Sequence, residues 1–303
     1  MNAKPQSRDR PPVPQSAATA EEAYRFAGHS GAQLVLLRRD GGHVVRKTAG
    51  SPAQNGRLLA QAEQQRQFFF SGVPVPRIFE TGTDAAGLAY FEMEYVPGQT
   101  VANVVAEAMP LDRTTVEEAV GRLFDFLRLT VSGTIAAPLF VAKIDQIAAC
   151  ESAVCRAHRA AIAATAPRLL ALDWSGIPQS TGHGDLTLEN MLVSPERGVV
   201  FIDCDACFAS SYWLDAAKMF QDVAGHWCLR ALHRRGGPAL VNAVQQMDGL
   251  KAPLLQLIAH ADPALPGRLR QLVALHLFRT LPYIREDAVA GFVLERIAKA
   301  LPS

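Results

Sequence analysis

Apolar residues follow two different patterns along this chain. Up to about residue 98 they come in short runs broken by glycine and proline. Leu34-Val35-Leu36-Leu37 is followed by Gly41-Gly42 and then Val44-Val45-Arg46-Lys47. That order predicts strand, tight turn, strand, with Lys47 closing the second strand. Residues 57–70 carry helix formers and no Gly or Pro, so a helix is predicted there. Val73-Pro74-Val75-Pro76 ends it and opens an extended segment. Residues 88–98, LAYFEMEYVPG, read as a strand running into a Pro-Gly stop.

Further on, the spacing becomes helical. Residues 115–131, 138–172, 214–233, 239–247, 254–261 and 268–281 are predicted helices. Breaks are placed at Ser132-Gly133, Gly176-Ile177-Pro178, Gly236-Gly237-Pro238 and Asp262-Pro263. One stretch departs from this pattern. Met191-Leu192-Val193 and Val199-Val200-Phe201-Ile202 are split by the turn-like Ser194-Pro195-Glu196-Arg197-Gly198, which is a β-hairpin signature.

The residues flanking that hairpin carry the chemistry. Residues 183–203 read HGDLTLENMLVSPERGVVFID, with Asp185 and Asn190 in the polar loop before the hairpin and Asp203 directly after it. Closing the hairpin brings Asp203 back beside the loop and gathers three oxygen ligands. Hard cations such as Mg2+ take such ligands while keeping waters and substrate phosphates in their other positions. Transfer of a γ-phosphoryl group is mostly positioning and charge neutralisation. Asp185 is the candidate that accepts or orients the proton of an attacking hydroxyl. Asp203 would bridge the metal to the β- and γ-phosphates, and Asn190 would hold a metal without adding negative charge. His183 and Gly184 are read as shaping the loop. The bland alternative is a polar turn whose Asp and Asn cap local backbone groups.

HGDLTLEN followed by FIDCD resembles the aminoglycoside phosphotransferase and choline kinase group, small-molecule relatives of protein kinases. More closely, HGDLTLENML with FIDCDACFASSYWLDAAKMFQD resembles kinase-like proteins of surface-polysaccharide gene clusters. The likeness runs from about Tyr24 to about Arg285. It implies an α+β, bilobal, protein-kinase-like fold, with a small β-rich N-lobe and a larger, mostly helical C-lobe. The resemblance makes 21–98 the N-lobe ending in the hinge and 99–303 the C-lobe, while residues 1–20, rich in Pro, Ser and Ala, read from composition as a disordered leader.

The resemblance also implies a nucleotide clamp for ATP in the N-lobe. Gly28, Ser30 and Gly31 would form a degenerate glycine-rich turn that lets the backbone approach phosphates. Lys47 would hold the α- and β-phosphates, unless it is an ordinary strand-end lysine. Glu63, the only acid of its helix, would pair with Lys47 or else lie on a solvated face. The hinge would offer backbone groups of Glu94 and Val96 to adenine, with Met93 behind the base. In the C-lobe, Asp215 resembles the aspartate with which the family braces its catalytic loop. Lys218 and Asp222 stand at i,i+4, a spacing that usually means a modest surface salt bridge.

Composition narrows the partners. A net charge of +1 argues against a general nucleic-acid binder. No apolar run approaches the ~18–20 residues of a membrane span. No secretory signal is visible, and five cysteines without one indicate a reducing cytoplasm. Cys204-Asp205-Ala206-Cys207 has no second pair at zinc-finger spacing, so packing is the reading for Cys204.

The acceptor is the least legible part. Asp222, His226, Trp227 and Arg279 are candidates to line its pocket, with core packing or a solvated helix end as the alternatives. From Asp222 onward there are ten Lys and Arg against six Asp and Glu. A pocket for polycationic aminoglycosides should lean the other way, and choline would want an aromatic cage. The expectation is therefore an ATP- and Mg2+-dependent kinase for a small-molecule hydroxyl, on a sugar or sugar-derived acceptor. An aminoglycoside or choline/ethanolamine-type kinase is the alternative. A protein kinase is disfavoured because Gly184 stands where those enzymes carry Arg and no Ala-Pro-Glu segment follows. A catalytically dead nucleotide-binding regulator would have no use for Asp185.

Overall fold

A computed structural model describes residues 24–26, 31–39, 42–205 and 208–301, and it divides the chain into two compact units. The first holds the described residues up to Glu63 together with Arg77–Tyr95. The second holds Gln64–Pro76 and everything from Val96 onward. The expected leader at 1–20 lies outside the described residues.

The first unit is built on an antiparallel sheet. Its strands are β1 (Tyr24–Phe26), β2 (Gln33–Arg39), β3 (Gly42–Thr48), β4 (Ile78–Thr83) and β5 (Ala89–Glu94), in the order β1-β2-β3-β5-β4. Between β3 and β4 comes helix α1 (Asn55–Phe70), whose residues up to Glu63 belong to this unit. Side chains alternate across a strand, so β3 buries Val45 and Lys47 on one face. On the other face Arg46 pairs with its cross-strand neighbour Glu92 at 2.6 Å and covers the Tyr90 ring. Leu36, Val45, Leu58, Ala62, Phe91 and Met93 belong to the core of this unit. Lys47 is thus a cation carried into an apolar layer.

The second unit is mostly helical. It runs through β6 (Gln99–Thr100), α2 (Val101–Ala106), α3 (Arg113–Leu129), β7 (Gly133–Thr134), α4 (Ala137–Ala148), α5 (Ala153–Ala157), α6 (Arg159–Leu170) and β8 (Pro178–Gln179). Next come the hairpin strands β9 (Met191–Ser194) and β10 (Gly198–Phe201), then α7 (Tyr212–Val223), α8 (Arg230–Arg235), α9 (Pro238–Ala261), α10 (Leu265–Thr280) and α11 (Asp287–Ala300). The hairpin forms with Gly198 opposite Ser194, and β6 pairs with β9 to make a three-stranded sheet, β10-β9-β6.

Four of the expected helices come out differently. The stretch 138–172 is divided into α4, α5 and α6, because the Ser152 hydroxyl accepts the Cys155 amide and starts a new helix. The stretch 214–233 breaks after α7, where His226 takes a left-handed φ of 57°. Conversely, 239–247 and 254–261 join in the single helix α9 despite Pro253 inside it. Met247, Leu250, Leu254 and Ile258 are all buried and keep one apolar stripe continuous past the proline, so packing overrides local propensity. Helices α2 and α11 were not anticipated from the sequence.

Helix α7 runs through the interior of the second unit. Every residue from Tyr212 to Val223 except Lys218 is buried. Its start is pinned by Asp262 Oδ2, which accepts the Tyr212 hydroxyl at 2.5 Å and the Trp213 indole N–H at 2.8 Å. A helix buried on all sides should carry charge only where that charge has work to do, and α7 carries Asp215, Lys218 and Asp222.

Candidate active site

The loop 183–190 is held from beneath by two carboxylates of α7. Asp215 accepts the His183 amide at 2.6 Å and the Gly184 amide at 2.8 Å. Two turns of helix later and fully buried, Asp222 accepts the Leu188 amide at 2.8 Å and the Cys228 amide at 3.0 Å. Burial pushes both carboxyl groups up to about 7, against the pull of those backbone N–H groups.

Backbone hydrogen bonds tie the loop to the segment that carries Asp203. The Ile202 amide donates to the Asn190 carbonyl at 3.0 Å, and the Asp205 amide donates to the His183 carbonyl at 2.8 Å. These two bonds flank Asp203 on one side and the loop from Asp185 on the other. Asp203 itself sits at φ 58°, a left-handed conformation costly for a residue with a Cβ. Gly184 lies where the segments touch, at φ +86°, and a Cβ there would stand 1.6 Å from the Asp205 carbonyl oxygen. Only glycine allows the closure. His183 fills the space below, fully buried, with its imidazole pKa pushed down by burial so that the ring is neutral.

Asp185 is held at both oxygens. Lys218 Nζ lies 3.0 Å from Oδ1, and Asn190 Nδ2 donates to Oδ2 at 3.0 Å and to the Asp185 carbonyl at 2.8 Å. With its NH2 committed to Asp185, the Asn190 amide turns its carbonyl oxygen the other way. Asp185, Asn190 and Asp203 therefore belong to one stitched pair of segments, while Lys218 completes the group from α7. The sequence offered one signal for Lys218, its i,i+4 relation to Asp222.

The Lys218–Asp222 pair expected at the surface is corrected by these contacts. Asp222 is interior and receives backbone N–H groups on both oxygens, so it braces the loop and lines no acceptor pocket. His226 stacks on His233 at 5.6 Å, and burial pushes its pKa down to about 4. The Trp227 ring is covered by the Arg230 guanidinium at 4.4 Å, and Arg230 also reaches Glu189 at 3.3 Å. Arg279 stacks on Phe208 at 4.4 Å. Cys204 is buried among the core residues, and Cys207 lies outside the described residues.

In the first unit, Lys47 Nζ donates to the buried Gln61 Oε1 at 3.1 Å. Glu63, the expected partner, lies on the exposed side of α1, two residues and about 200° further round the helix. Sequence reasoning pointed to the acid; the buried oxygen bonded to Lys47 is that of the amide Gln61. Lys47 lines a small pocket with Ala32, Ala49, Gln54, Arg57, Leu58 and Gln61. Gly31, at φ +78°, stands beside it, and its carbonyl oxygen would be 2.2 Å from any Cβ on Gly50. Gly28 and Ser30 lie outside the described residues. Met93 belongs to the core of this unit, and the Glu94 amide donates to the Arg77 carbonyl at 2.8 Å. The boundary between the two units falls between Tyr95 and Val96, inside the segment expected to be the hinge.

A family model described as the phosphotransferase enzyme family (APH) matches residues 25–254. The chain belongs to that family. It is a phosphotransferase, and the kinase-like fold expected from the sequence is shared with solved structures. A thermostable mutant of aminoglycoside phosphotransferase APH(4)-Ia, in ternary complex with ADP and hygromycin B, is similar at a TM-score of 0.61 and 14% identity, covering 93% of this chain and 94% of that one. Amicoumacin kinase hAmiN, in complex with AMP-PNP, Ca2+ and Ami, is similar at a TM-score of 0.59 and 13% identity, covering 92% and 89%. A putative fructosamine-3-kinase from Haemophilus somnus 129PT is similar at a TM-score of 0.53 and 11% identity, covering 94% and 92%. At these identities the likeness is one of fold. A comparison with curated protein sequences finds no match. Among the described residues no helix is long and apolar enough to cross a membrane.

Proposed function

We propose that this phosphotransferase is an ATP-dependent small-molecule kinase that uses Mg2+ to pass the γ-phosphoryl group to a hydroxyl of a sugar or sugar-derived acceptor. The observation that carries the reading is the stitching of the Asp185–Asn190 loop to the Asp203 segment by two backbone hydrogen bonds, with Gly184 at the point of contact.

In this reading Asp185 is the group that takes or orients the proton of the attacking hydroxyl. Lys218 and Asn190 hold it in one rotamer, so the oxygen facing the acceptor is fixed before the acceptor arrives. The donor set fits Mg2+: the Asn190 side-chain carbonyl and the Asp203 carboxylate are hard oxygen ligands, and Mg2+ is usually held by one or two protein ligands plus substrate phosphates. When bound, the ion would supply charge neutralisation at the phosphates. Asp215 and Asp222 keep the loop backbone in place and take no part in the chemistry.

In the first unit, Lys47 with its Gln61 partner would meet the α- and β-phosphates, and the backbone at Gly31 would line their approach. Any contact of Glu94 with adenine would use its carbonyl, since its amide is bonded to Arg77. Support for ATP as donor comes from the related folds solved with ADP or AMP-PNP. Support for a sugar comes from the basic balance from Asp222 onward, where ten Lys and Arg face six acids. The experiment is a screen of purified protein with ATP and Mg2+ against sugars, sugar phosphates, choline and aminoglycosides, followed by ADP release. Turnover with a sugar-class member supports the reading, and turnover confined to choline or to aminoglycosides replaces the acceptor.

A further inference from the structure

The polar groups around Asp185 extend along α10 and α4 as a row of cations. Lys218 Nζ, the nearest, is 3.0 Å from Asp185 Oδ1, and its side chain keeps 17% of its exposure. Below it, His276 is buried, with its imidazole pKa pushed well down by burial and by the nearby Arg279 and Lys218. Arg279 Nη1 lies 3.1 Å from His276 Nδ1. A guanidinium can only donate, so Nδ1 accepts and the His276 proton sits on Nε2. The same guanidinium lies over the Phe208 ring at 4.4 Å, which fixes its plane as well as its edge. On that ring the Lys143 ammonium also bears, 5.9 Å from the centroid. Arg279 and Lys143 therefore share the Phe208 ring, Lys143 also donating to Gln146 at 2.8 Å, and Lys218 stands near His276 while reaching Asp185.

We propose that the acceptor carries an anionic group, a phosphate or a carboxylate, that docks on Arg279 between Lys218 and Lys143 while its hydroxyl meets Asp185. The inference rests on the phosphoryl-transfer reading and narrows its acceptor. Lys218 is paired with the Asp185 carboxylate, so Arg279 and Lys143 are the cations that disfavour an amine on the acceptor and favour an anionic group. A guanidinium held in a fixed plane suits the two coplanar oxygens of a carboxylate or phosphate, which a freely turning lysine does not. Arg279 was a candidate in the sequence; Lys143 and Lys218 were not, because α4 and α7 meet α10 only in the folded chain.

The test uses the full chain with ATP and Mg2+ and a matched acceptor set: glucose, glucose 1-phosphate, glucuronate and glucosamine. The expected result is kcat/KM at least tenfold higher for an anionic member than for glucose, and lowest for glucosamine. Glucose 1-phosphate against glucuronate separates phosphate from carboxylate. Arg279→Ala and Lys143→Ala each reduce the anionic preference to within about threefold, with the loss in acceptor KM and not in KM for ATP, and Arg279→Lys restores part of it. A preference for glucose or glucosamine, or an anionic preference that survives both alanine variants, overturns the inference and leaves the kinase reading standing. No transfer to any member counts against the sugar acceptor, and calorimetry then decides the inference separately. Inorganic phosphate binding in the presence of AMP-PNP and Mg2+ should weaken at least fivefold in Arg279→Ala; unchanged binding overturns it.

Discussion

The carboxylate of Asp222, in the last turn of α7, accepts the backbone amide of Leu188 at 2.8 Å and so fixes the middle of the loop 183–190 from a helix 34 residues downstream. Its other oxygen takes the Cys228 amide. Replacing Asp222 by Ala leaves two interior N–H groups without a partner, each costing roughly 1–3 kcal/mol. Urea unfolding of Asp222→Ala should show a loss of about 2–5 kcal/mol at pH 7. A loss below about 1 kcal/mol would mean that water reaches those amides and that the brace is dispensable.

Asp215 gives a pH signature. Its carboxyl is raised from 3.8 to about 7 by burial, so the folded state binds this proton more tightly than the unfolded chain does. The stabilisation it gives is present below about pH 4 and is lost as pH rises through about 7. Measured against Asp215→Asn, which cannot titrate, wild type should lose stability on the order of 4 kcal/mol between pH 4 and pH 8. A difference between the two proteins that stays flat across that window would show that Asp215 is already ionised throughout.

Gly184 is the tightest point of the site. Alanine there combines φ +86° with a Cβ driven into the Asp205 carbonyl. The variant should be destabilised by ~3 kcal/mol or more and should lose phosphoryl transfer even at temperatures where it remains folded. Circular dichroism with ADP release measures both. Retained turnover would show that the two segments need not touch.

The lysine partner separates two side chains that lie close in sequence. Gln61→Ala should raise KM for ATP several-fold, because Lys47 loses the buried oxygen that orients its ammonium. Glu63→Gln, on the exposed side of the same helix, should leave KM for ATP within about twofold. Steady-state kinetics with ATP varied would reverse the assignment if the order of the two effects were inverted.

The sequence made some of this legible and hid the rest for physical reasons. The hairpin, the three oxygen-bearing residues around it and Lys47 at the end of β3 follow local rules of turn chemistry and strand alternation, so their register could be read directly. The brace at Asp215 was expected through family likeness. By contrast, Gln61, Asp222 and Lys218 depend on which way a helix face turns, and that is settled by packing. An i,i+4 pair says that Lys218 and Asp222 share a face; only burial shows that the face is interior. The unbroken α9 was missed because Pro253 is a local veto that four buried apolar residues outweigh. The likeness to surface-polysaccharide proteins belongs to the proposed acceptor and goes beyond what the structural matches carry.

The central claim is that Asp185 and Asp203 make this fold a metal-assisted kinase. Its most direct test is Mg2+-dependent ADP formation, with the best acceptor from the screen, by Asp185→Asn and Asp203→Ala, each shown by circular dichroism to be folded. The account predicts that kcat falls by about 10^2–10^4-fold in Asp185→Asn and that Asp203→Ala loses its response to added Mg2+. Turnover within tenfold of wild type in either folded variant would contradict it.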